Sequence, residues 1–143
     1  MLPISTENAP AAVGPYSQAI AVNGLLFVSG QLPIDPKSGE FNSDNMIGQM
    51  EQCMANIQAI AIAAGTSIAR TVKTTILLTD ISQFAQINEV YGRFFTSPYP
   101  ARACYEVSAL PRGARVRTLA LLSRISHPAG TLSSRYPDGC LPV

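Results

Sequence analysis

The 143-residue chain has no tryptophan, one histidine, three cysteines and only 13% charged residues. Each shortage excludes a class of protein. A nucleophilic triad needs a base beside its nucleophile, most often histidine, and the single one, His127, sits in a weakly patterned tail and reads as a solvated residue. A metal centre needs several convergent His, Cys or carboxylate ligands, and the sequence clusters none. Cys53, Cys104 and Cys140 are odd in number and form no C-x-x-C pair, which argues against a disulfide framework or a zinc ribbon and for a reducing cytosol. The longest unbroken apolar run in the middle of the chain, 59–64, falls far short of the roughly 20 residues that cross a bilayer. Residues 1–7 carry neither a basic n-region nor an apolar h-region, so no signal peptide is expected. There is no Walker loop and no G-x-G-x-x-G. Ten basic residues balance nine acidic ones, without the basic face that marks a dedicated nucleic-acid binder.

What is present suits one compact domain. An apolar share of 47% is enough to bury a core. The charged share is about half the ~25% usual for soluble proteins, which fits a chain that hides part of its surface in an oligomer.

Asn23-Gly24, set between Ala19-Ile20-Ala21-Val22 and Leu25-Leu26-Phe27-Val28, reads as the type I′ turn of a β-hairpin. Ser43-Asp44 can cap a helix running to Gly65, with Met46, Met50, Cys53, Ile57, Ile60 and Ala64 on one apolar stripe. Gly65 supplies a left-handed stop. The β-branched run 72–79 predicts a strand. Asp80, with Gln83 three residues on, predicts a capping-box start to a second helix that carries Phe84, Ile87, Tyr91, Phe94 and Phe95 and ends at Pro98 and Pro100. Residues 102–107 and 115–122 read as two closing strands. The order predicts an α+β sandwich, both helices on one face of a mixed sheet, spanning 1–122, followed by a loosely ordered tail, 123–143.

One segment stands out for chemistry: Pro100-Ala101-Arg102-Ala103-Cys104-Tyr105-Glu106-Val107. Alternation along a strand puts Arg102 and Cys104 on one face of the sheet, and a rigid guanidinium offers a planar fork to a carboxylate or phosphate. The competing role for Arg102 is an edge ion pair with Glu106 or a neighbour.

That segment, with Gly14-Pro15-Tyr16-Ser17-Gln18-Ala19, Val28-Ser29-Gly30-Gln31-Leu32-Pro33 and Val72-Lys73-Thr74-Thr75, resembles the RidA (reactive intermediate deaminase) family, also called YjgF or L-PSP, whose older labels are translation inhibitor and endoribonuclease. Thr6-Glu7-Asn8-Ala9-Pro10 fits as well, so the likeness runs from residue 5 to about 116. Each motif alone is weak; four in order are strong. The resemblance implies a chorismate-mutase-like (bacillus-type) α+β fold assembled as a homotrimer, with clefts for small carboxylate metabolites between neighbouring subunits. It implies a cytoplasmic hydrolase that converts the enamines and imines released by pyridoxal-phosphate dehydratases into 2-keto acid and ammonia, with no metal or organic cofactor.

Carried over by position, Arg102 clamps the substrate carboxylate and Tyr16 closes the pocket. Gly30 lets the backbone approach the ligand, Asn88 reaches the cleft from its helix, and Cys104 contributes main-chain groups. Outside the family each has a plainer role. Tyr16 would be a core aromatic, Gly30 a strand-end turn, Asn88 an ordinary helix polar residue and Cys104 inert packing. With no histidine beside it, Cys104 is not read as a nucleophile.

The chain departs from the family at the last strand, where Val-Glu-Ile-Glu-Ala is usual and Val116-Arg117-Thr118-Leu119-Ala120 stands here. The first family glutamate is thought to position or activate the attacking water. A permanent cation at Arg117 cannot accept a proton, yet two arginines near one pocket still attract anions. Arg117, Arg124 and Arg135 face one acid, Asp138, in this end of the chain. It reads as a divergent extension or an altered reading frame. Besides the deaminase, two readings stay open: a non-catalytic trimer that binds small metabolites in the same clefts, and the older endoribonuclease. Against the latter stands the lack of a basic aromatic stripe or an acid–base pair.

Overall fold

Asn23 and Gly24 adopt φ of 51° and 75°, the two left-handed positions of the predicted turn. They join β2 (Ala19–Val22) to β3 (Leu25–Gln31). In the computed structural model, which describes residues 1–124, the remaining elements are β1 (Leu2–Ile4), α1 (Met46–Ala63), β4 (Thr71–Leu78), α2 (Phe84–Gly92), β5 (Ala101–Glu106) and β6 (Val116–Ser123). The six strands form one sheet in the order β1-β2-β3-β6-β4-β5. Every pairing is antiparallel except β4 with β5, so the sheet is mixed, as predicted. The strand β1 carried no alternation long enough to read from sequence.

The predicted apolar stripe of α1 is buried throughout: Met46, Met50, Cys53, Ile57, Ile60 and Ala64. It packs on Leu26, Val28, Ile76, Leu78, Val116 and Leu122, which are likewise buried. Cys53 Sγ donates to the Val116 carbonyl at 3.8 Å, and Tyr91 of α2 shares a 2.8 Å hydrogen bond with Thr74 Oγ1. Both helices therefore cover the same face. The residues alternating with these on β6, Arg117, Leu119, Leu121 and Ser123, turn to the other face, which no helix covers among the described residues. Phe27 and Tyr105 are exposed there.

The helix ends differ from expectation in instructive ways. The N-cap of α1 is Asn45, not Ser43 or Asp44. Asn45 has the extended backbone a cap requires, and its Oδ1 accepts the Gly48 N–H at 2.8 Å. Ser43 instead accepts the Asn45 N–H. At the other end Gly65, at φ 77°, does close the helix: Thr66 N–H reaches the Ala61 carbonyl and Gly65 N–H that of Ile62, both at 3.0 Å, a Schellman arrangement. Asp80 caps a single 3-10 turn, Ile81–Gln83, that leads into α2. Gln83 reaches the Asp80 carboxylate rather than its backbone N–H, so no capping box forms. α2 stops at Gly92, short of the predicted prolines, and Phe94 lies in the turn that follows.

The stretch beginning at Arg117 is no extension. It forms β6, the strand between β3 and β4, with Thr118, Ala120 and Leu122 buried, because its inward positions keep small or apolar groups of the right size. Arg124 closes it by donating to the Gly24 and Ala64 carbonyls. Of the expected tail, 123–143, Ser123 ends β6 and Arg124 follows it; the rest, with His127 and Cys140, lies outside the described residues.

Candidate functional site

The parallel register Thr74↔Arg102 and Ile76↔Cys104 places Arg102 and Cys104 on the helix-covered face of the sheet, at its β5 edge. α2 runs past that edge. Its residues Phe84, Asn88 and Tyr91, at i, i+4 and i+7, share one side of the helix and all meet Arg102. The Arg102 Nη1 donates to Asn88 Oδ1 at 2.6 Å. Its guanidinium carbon lies 5.2 Å from the Phe84 ring centre and 5.0 Å from that of Tyr91, within cation–π range. Tyr91 is itself fixed by Thr74. An exposed arginine is thus held in one orientation by a hydrogen bond and two rings.

Among the described residues no carboxylate pairs with Arg102. The ion pairs present join Arg93 to Glu51 and Glu89, and Arg112 to Glu40. Glu106, the competing partner, accepts the Ile81 N–H at 3.0 Å instead. Among the described residues, four of the five guanidinium donors of Arg102 stay unused. Two hollows meet at this side chain. One, of about 480 Å³, is lined by Asn88, Tyr91, Gly92, Tyr99, Pro100 and Arg102. The other, of about 490 Å³, is lined by Ile81, Phe84, Arg102 and Cys104. Partial burial pushes the Cys104 thiol above its ordinary pKa, and the nearby Arg102 charge only partly opposes this. The thiol is protonated at neutral pH and no nucleophile.

Gly30 and Arg117 form a second group. The β3–β6 register shifts between Val28 and Gln31, and the Arg117 side chain lies against Gly30 in that irregularity. A Cβ on Gly30 would run into Arg117 Nε and stand 2.8 Å from Cζ. The group that lies close to Gly30 is the chain's own arginine. Arg117 is half-buried, and its Nε is buried without a hydrogen-bond partner among the described residues. Behind the sheet, burial holds the Cys53 thiol far above its usual range, with Arg117 among the weaker opposing influences.

Tyr16 is half exposed, not a core aromatic. Its hydroxyl accepts the Val13 N–H at 3.4 Å, and it lines a separate hollow of about 570 Å³ beside the N-terminal segment. The next residue, Ser17, accepts a 2.6 Å hydrogen bond from Ser29 Oγ, which ties Tyr16 to the rim that holds Gly30. Buried Gln18 fixes the segment before it through Thr6, Ala9 and Pro10 carbonyls.

The six candidate residues therefore fall into two places: Arg102, Asn88 and Cys104 at the β5 edge, and Gly30 and Arg117, with Tyr16 nearby, where the central strands β3 and β6 meet. β4 separates β5 from β6, and Arg117 stands opposite Leu77 while Arg102 stands opposite Thr74. That is about 10 Å across two strand spacings and about 10 Å along three residues, on opposite faces. Sequence reading assigned Phe84 and Tyr91 to the apolar side of a helix and did not give them the arginine. Their spacing with Asn88 was the available signal.

Residues 6–120 match the family model described as Endoribonuclease L-PSP. The chain is 68% identical over 121 residues to the RutC family protein y4sK of Sinorhizobium fredii, covering 85% of this chain and 96% of that one. It is 47% identical over 118 residues to the 2-iminobutanoate/2-iminopropanoate deaminase of Capra hircus, covering 82% of this chain and 86% of that one. The crystal structure of Escherichia coli TdcF with bound serine superposes with a TM-score of 0.82 at 36% identity, over 87% of this chain and all of that one.

Proposed function

From the premise that this chain belongs to the Endoribonuclease L-PSP family, the RidA/YjgF group, we propose that it is a deaminase of 2-imino and 2-enamino acids. The reaction is R–C(=NH)–COO⁻ + H2O → R–C(=O)–COO⁻ + NH3. Water adds to the imine carbon, the amino nitrogen takes up a proton, and the C–N bond breaks as ammonia leaves.

The observation that carries this reading is the Arg102 guanidinium, fixed by Asn88, Phe84 and Tyr91 yet paired with no carboxylate among the described residues. Such a group binds the carboxylate common to all these substrates, for about 1.5–3 kcal/mol net. It leaves the imine carbon standing in the adjoining hollow. A relative with deaminase activity at 47% identity and a relative that binds serine support the same chemistry.

The working form is a homotrimer with clefts between subunits, in the cytoplasm. Support comes from the uncovered sheet face bearing exposed Phe27 and Tyr105 and from the separation of the candidate residues. Arg102 of one copy and Gly30, Arg117 and Tyr16 of another have to meet for the six to line one small cleft. Among the described residues no helix is long and apolar enough to cross a membrane.

A second reading, metabolite binding without turnover, is favoured by Arg117, which puts a cation where a proton acceptor would serve. The test is 2-keto acid release in a coupled reaction with threonine or serine dehydratase. The protein is expected to accelerate release, and Arg102→Ala to abolish the acceleration. No acceleration by the wild type, with carboxylates still bound, selects the binding reading; acceleration that survives Arg102→Ala refutes the clamp.

A further inference from the structure

Arg117 poses a physical problem that the deaminase reading leaves open. It is a half-buried cation on the uncovered face of the sheet, between Leu119 on its own strand and Leu77 opposite. Its Nε is buried and has no acceptor among the described residues. Among the described residues no carboxylate pairs with it. A partly desolvated, unpaired charge is costly, and a strand that merely needed a spacer would hold something cheaper there.

Gly30 makes the placement deliberate in one respect. Having no side chain, it leaves the seat on which the guanidinium lies, since a Cβ would collide with Nε. The terminal nitrogens make no hydrogen bond among the described residues and, unlike Nε, are not among the buried unpartnered atoms. The result is a seated fork with its inner edge against the protein and its outer edge free, in an environment where a charge pair is stronger than in water.

Resting on the proposed cleft between copies, we propose that Arg117 makes this protein selective for doubly anionic ligands: 2-imino acids, and their 2-keto products, that carry a second carboxylate. The carboxylate beside the imine is bound by Arg102 of one copy, and the distal carboxylate by Arg117 seated on Gly30 of the neighbour. One chain cannot do this alone, because its own two arginines stand on opposite faces of the sheet. A monoacid satisfies one fork and leaves the other cation unpaired in the cleft. A diacid satisfies both.

The test compares two acids with the same five-carbon chain, 2-oxoglutarate and 2-oxopentanoate, by titration calorimetry on the intact protein at fixed ionic strength. The wild type is expected to bind the diacid at least about tenfold tighter, the gain of one charge-assisted contact. Arg117→Gln is expected to bring that ratio below about twofold, and Arg117→Lys, which keeps the charge without the fork, to leave it in between. Arg102→Ala is expected to weaken both acids. Thermal unfolding of each variant checks that it folds. A ratio near one in the wild type, or a preference that persists in Arg117→Gln, overturns the inference. If either result comes with binding of both acids that depends on Arg102, the deaminase cleft stands and only the role of Arg117 falls. If neither acid binds, both fall.

Discussion

Replacing Asn88 by aspartate exchanges one amide for a carboxylate at the atom that already touches Arg102. The Asn88 Oδ1 accepts from Arg102 Nη1 at 2.6 Å, so the new side chain needs no movement to become an ion pair. The pair is exposed and is worth between nothing and about 1 kcal/mol of stability. Its effect on ligand binding is opposite in sign. A substrate carboxylate gripping the same guanidinium would lie about 4 Å from the new charge, and two like charges at that distance repel by about 1 kcal/mol in water and about 4 kcal/mol at an effective dielectric of 20. Affinity for a small 2-keto acid is therefore expected to fall about fivefold if the site stays open to solvent, and several hundredfold if a second copy walls it in. Calorimetric titration with 2-oxobutanoate, run beside thermal unfolding, reads both quantities. The signature is weaker binding in a protein at least as stable as the wild type, which damage to the fold would not produce. Asn88→Asp protein that binds the acid as the wild type does would refute the placement of the ligand on Arg102.

Three further outcomes follow from the same geometry. Arg117→Glu is expected to raise a weak deaminase rate, since a positioned general base is worth about 10²–10⁴; no gain in a folded variant would count against a water-activating role for that position. Alkylation of Cys104 by iodoacetamide, followed in a Cys140→Ser background, is expected to run slower than that of a free thiol at pH 8 and to climb only well above it. The raised pKa leaves little thiolate there, and fast labelling at pH 7 would contradict it. Phe27→Glu, on the uncovered sheet face, is expected to reduce the mass seen by light scattering from about three times 15.2 kDa to a single chain. An unchanged mass would place the contact between copies elsewhere.

Much of the fold was legible because its signals are local. Asn-Gly specifies a turn by its own φ preferences, the α1 stripe is a periodicity, and Gly65 stops a helix wherever it follows one. The failures share a cause. Ser43, Asp44 and Asn45 all have capping chemistry, and only the direction from which the chain enters α1 decides that Asn45 does it. Asp80 starts a 3-10 turn rather than the α-helix for the same reason. β1 is three residues that become a strand only because β2 is there to pair with. The divergence at Arg117 looked like a break in the fold, yet Thr118, Ala120 and Leu122 keep small or apolar groups at the inward positions of a central strand, and the charge changes fall on the outward ones.

Residue types and spacing, by themselves, determined the α+β class and the choice of Arg102 as the residue to watch. These depend on composition and on neighbours within a few positions. Tertiary structure alone decided what that arginine touches. It decided that Phe84 and Tyr91 hold it, that Glu106 does not, and that Arg117 rests on Gly30, 87 positions earlier in the chain. Contacts between residues far apart in sequence are set by strand register, and register is a property of the whole sheet that no single segment contains.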